Sequence, residues 1–169
     1  VRWLGADPPA MAEARSALDN IVADGKRARE VIARIRALTK RQMPRMDLLD
    51  LNRKILDVLA FTEQELRSHD IVLETTLDST LPHVTGDRVQ LQQVLLNLIM
   101  NACEAMSDTD SRDRSLVVST AHDDDSNLHL TVADRGPGIS SDLVDRIFKP
   151  FVTTKAQGLG LGLSICRSI

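Results

Sequence analysis

Three groups of residues have the types and spacing to do chemistry. The first lies in the run from Asp87 to Met106, which is apolar almost all round: Leu91, Leu95, Leu98, Ala102 and Met106 on one face, Leu96, Met100 and Cys103 on another. One stripe is polar, formed by Gln90, Gln93, Asn97, Asn101 and Glu104. Asn97 and Asn101 stand one helical turn apart and are neighbours on it. Amide oxygens are hard ligands suited to Mg²⁺, an ion that keeps several waters and bridges phosphates. The same stripe reads equally as a row of solvated amides.

The second group closes a strand. Leu128, Leu130, Val132 and Asp134 share one parity, so the Asp134 carboxylate is expected to point inward with them. An inward carboxylate is costly unless paired, and the exocyclic amino group of a purine would be a suitable donor. Asp134-Arg135-Gly136 fits an Asx-turn as well. Gly136 and Gly138 leave room for backbone to approach a ligand. The third group is Phe148-Lys149-Pro150-Phe151-Val152-Thr153-Thr154-Lys155, followed by Gly158, Gly160 and Gly162. Glycine at alternate positions supports neither strand nor helix, but leading into a helix it offers successive N–H groups to an anion. The spacing matches neither GxxxxGK[ST] nor GxGxxG. Behind Thr153-Thr154-Lys155 it reads as a mobile cover over phosphates.

The elements that must position these groups form two units. Residues 1–45 are expected to be mostly one long helix: Asp7 caps it, Pro8 takes its first position, and Met11, Ala14, Leu18, Ile21, Gly25, Ala28, Ile32 and Ile35 recur at spacings of three and four. Val22, Val31 and Leu38 widen this heptad seam, which needs a partner helix to bury it. Val1 to Leu4, ended by Gly5, read as the tail of such a partner, which makes an αα-hairpin. Residues 46–169 alternate helices and strands. Expected are a short strand Met46–Leu49, a helix capped by Asp50, a strand Ile71–Leu77, a loop holding Pro82, and the helix from Asp87 with Gln90 as its capping-box partner. Antiparallel strands Leu116–Ala121 and Leu128–Ala133 follow, then a short helix near Leu143–Ile147 and a last helix from about Leu161. The class is α+β, an antiparallel-rich sheet with helices on one face.

Composition narrows the function. Residues 1–46 carry ten Lys/Arg against five Asp/Glu, the rest eleven against nineteen. The basic segment raises nucleic acid as a partner, but its charges sit on a strict helical repeat, which favours a partner-facing helix. With 2% aromatics the chain lacks a stacking platform for single-stranded nucleic acid. No apolar run approaches the roughly 20 residues of a membrane span. Cys103 and Cys166 read as reduced core thiols, which suits a cytoplasmic setting.

Taken in order, LLNLIMNACEAM, DRGPGI, IFKPFVTTK and GLGLGLSI resemble the N, G1, F and G2 boxes of two-component sensor histidine kinases, and the resemblance covers residues 46–169. The seam of the first unit is similar to the second helix of that family's dimerisation and phosphotransfer hairpin. The resemblance implies the Bergerat ATP-binding sandwich, with ATP and Mg²⁺ as cofactors, a homodimer through the N-terminal helix, and a response regulator receiver domain as partner. By position it implies that Asn101 coordinates Mg²⁺ with Asn97 beside the phosphates. Asp134 holds the adenine amino group, and Gly136 and Gly138 shape its pocket. Phe148 and Phe151 anchor the cover, Thr154 and Lys155 approach phosphate, and Gly158, Gly160 and Gly162 let the cover close. The activity implied is transfer of the γ-phosphoryl group of ATP to a histidine.

Two departures bear on that activity. The family's acceptor histidine is followed by Glu and shortly by Pro, and none of His69, His83, His122 and His129 has this context. No catalytic acceptor is therefore assigned, and the acceptor helix is expected upstream of Val1, with further helix and strands expected beyond Ile169. Glu104 stands where many members carry a basic residue. The rival readings are an ATPase or serine kinase of the same fold, or a non-catalytic dimerisation module that senses nucleotide. The former relatives place a glutamate base four residues before the metal-binding Asn, where this chain has Asn97.

Overall fold

The computed structural model describes residues 11–21, 25, 45–123, 125, 127–155 and 158–169. The chain divides into two units, Val1–Arg41 and Gln42–Ile169. In the first, residues 11–21 form a helix, α1, with Ala14 buried and the seam residues Met11, Leu18 and Ile21 exposed. The expected cap at Asp7-Pro8, the tail Val1–Leu4 with Gly5, and the seam from Ala28 onward lie outside the described residues.

The second unit starts with strand β1 (Met46–Leu49) and helix α2 (Leu51–Ser68). Asp50 caps α2, its carboxylate accepting from the Arg53 N–H at 3.0 Å. Leu51, Ile55, Val58, Leu59 and Leu66 recur at helical spacing and are all buried. Strand β2 (Val72–Leu77) follows, then β3 (Val84–Asp87), which runs directly into helix α3 (Arg88–Ala105). Asp87 ends the strand and caps the helix: Oδ1 accepts from Val89 and Gln90 N–H, and Oδ2 takes the Arg45 N–H at 2.7 Å. The expected loop after Pro82 is thus partly strand. Gly86 and the capping aspartate hide it, since both are turn residues in any sequence pattern.

Strands β4 (Ser115–His122) and β5 (Leu128–Asp134) form the antiparallel hairpin, and short helices α4 (Ser141–Val144) and α5 (Gly162–Ser168) complete the unit. The class is α+β as expected, and two of the three strand pairings among the described residues are antiparallel, with one parallel pair that makes the main sheet mixed. β2 pairs with β4 in parallel, in the order β2-β4-β5, and β1 pairs with β3 antiparallel in a separate ribbon. A parallel pair needs a crossover, and the chain between β2 and β4 contains α3. Leu116, Val118 and Thr120 are the buried parity of β4. Ile55 of α2, Leu95, Ile99 and Cys103 of α3, and Met106 just past it pack in the same core.

Polar groups tie the edges. Arg114 spans three carbonyls, those of Thr109, His69 and Ser107, at 2.7–2.9 Å. At the other end, Asp78 accepts from the Thr80 N–H and hydroxyl and contacts His122 Nδ1 at 2.8 Å. Thr120 joins α2 to this corner through Asn52 Oδ1 and the Asp78 N–H. The Thr80 bonds, and after them His122, hold the Asp78 carboxyl down at about 2 against an ordinary 3.8. Asn127, with His129 second, does the same for Asp123.

A carboxylate whose folded pKa lies below its unfolded value stabilises the fold at higher pH and loses that contribution as pH falls through the folded pKa. The urea midpoint should therefore fall between about pH 4 and pH 2, the window set by these two groups. In Asp78→Asn the fall should be shallower, with the two proteins converging near pH 2. Midpoints that run parallel from pH 6 to pH 2 would contradict this assignment.

Candidate functional site

Helix α3 organises the site. Its apolar residues face α2 and the sheet, which leaves the polar stripe to meet the rest of the chain. Gln93 Nε2 donates to Asn97 Oδ1 at 3.3 Å, and Asn97 Nδ2 donates to the Gly162 carbonyl at 3.3 Å, with Cys166 Sγ at 3.7 Å. Asn97 therefore binds the first turn of α5. Asn101, half-buried one turn on, has no hydrogen-bond partner among the described residues, and its amide is not sealed from solvent. A Cβ at Gly162 would lie 3.7 Å from Asn101 Nδ2 and 3.9 Å from Asn97 Cγ. The glycine thus lies against both amides and sets no side chain between them.

The next two positions of α3 meet the other two groups. Glu104 Oε2 pairs with Lys155 Nζ. Ala105 touches Gly136, where a Cβ would come within 3.1 Å of the Ala105 Cβ and carbonyl and 2.8 Å of Asp134 Oδ1. A side chain there would press on Ala105 and displace the Asp134 carboxylate, so glycine permits the close approach. Asp134 itself departs from expectation. It keeps the parity of Leu128, Leu130 and Val132 but is exposed, and its Oδ1 accepts the Gly136 N–H at 2.8 Å. The Asx-turn is thus present. The helix that covers its neighbours ends at Ala105, beside Gly136, so parity sets the direction of the side chain but nothing buries it.

The cover segment is pinned at its base. The Phe151 N–H donates to the Gly160 carbonyl at 2.9 Å. Gly160 has φ +63° and leaves room for only 2.5 Å between a Cβ and the Val152 carbonyl oxygen. Phe151 also has positive φ, +65°, and its ring is 75% exposed, so its backbone anchors the segment and its side chain does not. Phe148 is less open, at 39%. Further along, Thr153 Oγ1 accepts the Lys155 N–H at 3.1 Å, and the Gly158 N–H donates to the Lys155 carbonyl at 3.3 Å. A Cβ at Gly158 would fall 2.7 Å from Thr153 Oγ1. Gly158 and Gly160 were expected for mobility, yet each permits a close approach that fixes the backbone. Thr154 is exposed, and Gly138, with φ +77°, has open space around it.

The structure thus brings Asn97, Asn101, Gly162, Lys155, Gly136 and Asp134 to one helix, while Gly138 has open space around it and Phe148, Phe151 and Thr154 are exposed. Sequence reasoning missed Thr153 and the partner of Glu104. The i, i+3 relation of Asn101 and Glu104 was the available signal. Burial pushes the Cys103 thiol up to about 11 and raises Cys166 as well, so both stay protonated and unreactive. Among the described residues no group of three or more His, Cys, Asp or Glu could hold a metal ion. A lone accessible amide at Asn101 fits Mg²⁺, which needs one or two protein ligands when phosphates and waters supply the rest.

No helix among the described residues is long and apolar enough to cross a membrane. Residues 86–169 match the family described as histidine kinase-, DNA gyrase B- and HSP90-like ATPase. The chain is 38% identical over 169 residues to the sensor histidine kinase TmoS of Ectopseudomonas mendocina, covering 99% of itself and 17% of that protein. It therefore spans about a sixth of that relative. Among solved structures it is similar to the catalytic domain of histidine kinase ThkA, with 35% identity, a TM-score of 0.64, and coverage of 73% of this chain and 78% of that one. ThkA in complex with the response regulator protein TrrA aligns at 28% identity and TM-score 0.73, over 92% of this chain and 43% of that one. Full-length ShkA in complex with AMPPNP aligns at 25% identity and TM-score 0.72, over 90% and 32%. With its amides, glycines and cover segment meeting on α3 as they do, the chain belongs to the sensor histidine kinases, within the ATPase family they form with DNA gyrase B and HSP90.

Proposed function

We propose that this chain binds ATP along α3 and serves as the catalytic part of a sensor histidine kinase, delivering the γ-phosphoryl group to a histidine that is none of the four in this sequence. The observation that carries this reading is the meeting of Asn97, Asn101 and Gly162, which leaves an accessible amide facing a glycine segment instead of a side chain. The AMPPNP bound by ShkA supports the nucleotide class.

In this reading Asp134 accepts from the adenine amino group through the oxygen that Gly136 does not occupy, and Gly136 keeps the strand end against α3. Asn101 offers its oxygen to Mg²⁺, and Lys155 offers its ammonium to phosphate. ATP and Mg²⁺ supply the transferable group and the charge neutralisation that phosphoryl transfer requires. Asn97 cannot act as a base for water, and it is already held by Gly162, which supports transfer over hydrolysis. The complex of ThkA with TrrA supports a response regulator receiver domain as the next acceptor. The exposed seam residues Met11, Leu18 and Ile21 support a homodimer through α1, because such a face is buried by a partner helix. ATP is held in the cytoplasm, so the reading puts this domain there.

Asp134→Ala should weaken Mg-ATP binding by about 1–3 kcal/mol, the range for leaving one hydrogen-bonding group of the ligand unpaired. ATP should bind in preference to GTP, whose ring presents a carbonyl to that carboxylate. Titration calorimetry checks both, and equal affinities for ATP and GTP would remove Asp134 from the role.

The chain alone should stay unlabelled after incubation with γ-labelled ATP. Supplying a histidine-bearing acceptor hairpin in trans should produce a label that is acid-labile and base-stable, and Asn101→Asp should abolish it. Robust labelling of the chain by itself would show that the acceptor had been misassigned.

A further inference from the structure

We infer that Glu104 is a positioning residue for the phosphate end of the site: it holds the Lys155 ammonium against the last turn of α3 and yields it to the phosphates of an arriving nucleotide. The inference rests on the reading of α3 as an ATP site. It adds to that site a residue whose charge is wrong for touching phosphate.

Lys155 is fixed at three points. Its N–H is held by Thr153 Oγ1 and its carbonyl by the Gly158 N–H, bonds that set its backbone from within the cover segment. Its ammonium is held by Glu104, fifty-one residues away in sequence. Among the described residues this is the only hydrogen bond or ion pair that joins residues 152–159 to α3. The place of attachment matters. Glu104 is three residues after Asn101 on the same stripe, so the pair puts a cation one turn beyond the amide offered to Mg²⁺.

The physical character of the pair suits exchange. The side chains are 36% and 47% exposed, so solvent screens the attraction and the pair is weak. An ammonium is a compact point charge that changes partner without losing a paired geometry, unlike a guanidinium. A polyphosphate carries more negative charge than one carboxylate and takes the ammonium by charge alone. Glu104 left bare beside phosphate would repel it, so the same carboxylate that stores Lys155 also competes with the ligand. Its removal therefore strengthens nucleotide binding and frees the segment.

Glu104→Gln keeps size and hydrogen-bonding capacity and sits on an exposed position, so the fold should persist, as an unchanged urea midpoint would verify. Mg-ATP should bind about two- to fivefold more tightly to it at low salt, the scale of an exposed ion pair. The gain should vanish near 1 M salt and be absent for adenosine, which has no phosphate. Without nucleotide, tryptic cleavage after Lys155 should be faster in Glu104→Gln than in the wild type, because trypsin must take the free ammonium. Glu104→Asp should restore the wild-type rate in part, and Mg-ATP should protect all three proteins. Wild-type protein that fails to bind ATP would overturn the site itself. Wild-type binding with Glu104→Gln equal or weaker in affinity, or with an unchanged cleavage rate after Lys155, would overturn the role of Glu104 alone.

Discussion

A helix packed on most of its circumference has one stripe left for polar groups, and the site of this domain is laid out along that stripe. Leu95, Ile99, Ala102 and Cys103 commit α3 to the core. What remains is Gln93, Asn97, Asn101 and Glu104. Buried or half-buried amides and charges are costly without partners, and two of the four attract distant parts of the chain while Asn101 stays unpaired among the described residues. Gly162 comes to Asn97, Lys155 to Glu104, and Gly136 to Ala105 at the helix end. The three contacts are spread over about 12 Å of helix. The topology enforces this arrangement. β2 and β4 pair in parallel, the chain that links them contains α3, and the helix lies against the sheet they form.

Much of this was legible in the sequence because it is local. Asp50 and Asp87 cap where a short polar side chain precedes an apolar repeat, and β1 has the limits the apolar run gives. The four boxes identified the family because their order is more specific than any one of them. Illegible parts depend on groups distant in sequence. β3 is four residues that pair with β1, and half of them are a glycine and a capping aspartate. The parity of Asp134 follows from its strand, whereas its exposure follows from where α3 stops. Likewise Gly158, Gly160 and Gly162 look alike in a repeat, yet one clears Thr153, one clears the backbone at Val152, and one lies against two amides.

Phe151 illustrates the same division. An aromatic residue in a motif invites the expectation that its ring is the anchor. Here the ring is open to solvent and the residue is held through its N–H, in a left-handed conformation that a β-carbon tolerates poorly. The bond from its N–H to the Gly160 carbonyl holds that backbone in place, which is how a strained residue persists.

The clasp between Phe151 and Gly160 also sets how the chain between them can change. Once the two ends of a loop are held together by the surrounding fold, lengthening the loop adds closure entropy only logarithmically, about 0.6 kcal/mol for each doubling. By closure entropy alone the stretch from Val152 to Leu159 can change length at small thermodynamic expense where the bonds of Thr153, Lys155 and Gly158 are kept, whereas a single methyl group at position 160 meets backbone. Variation among descendants of this sequence should collect at the tip of that segment and spare its two ends.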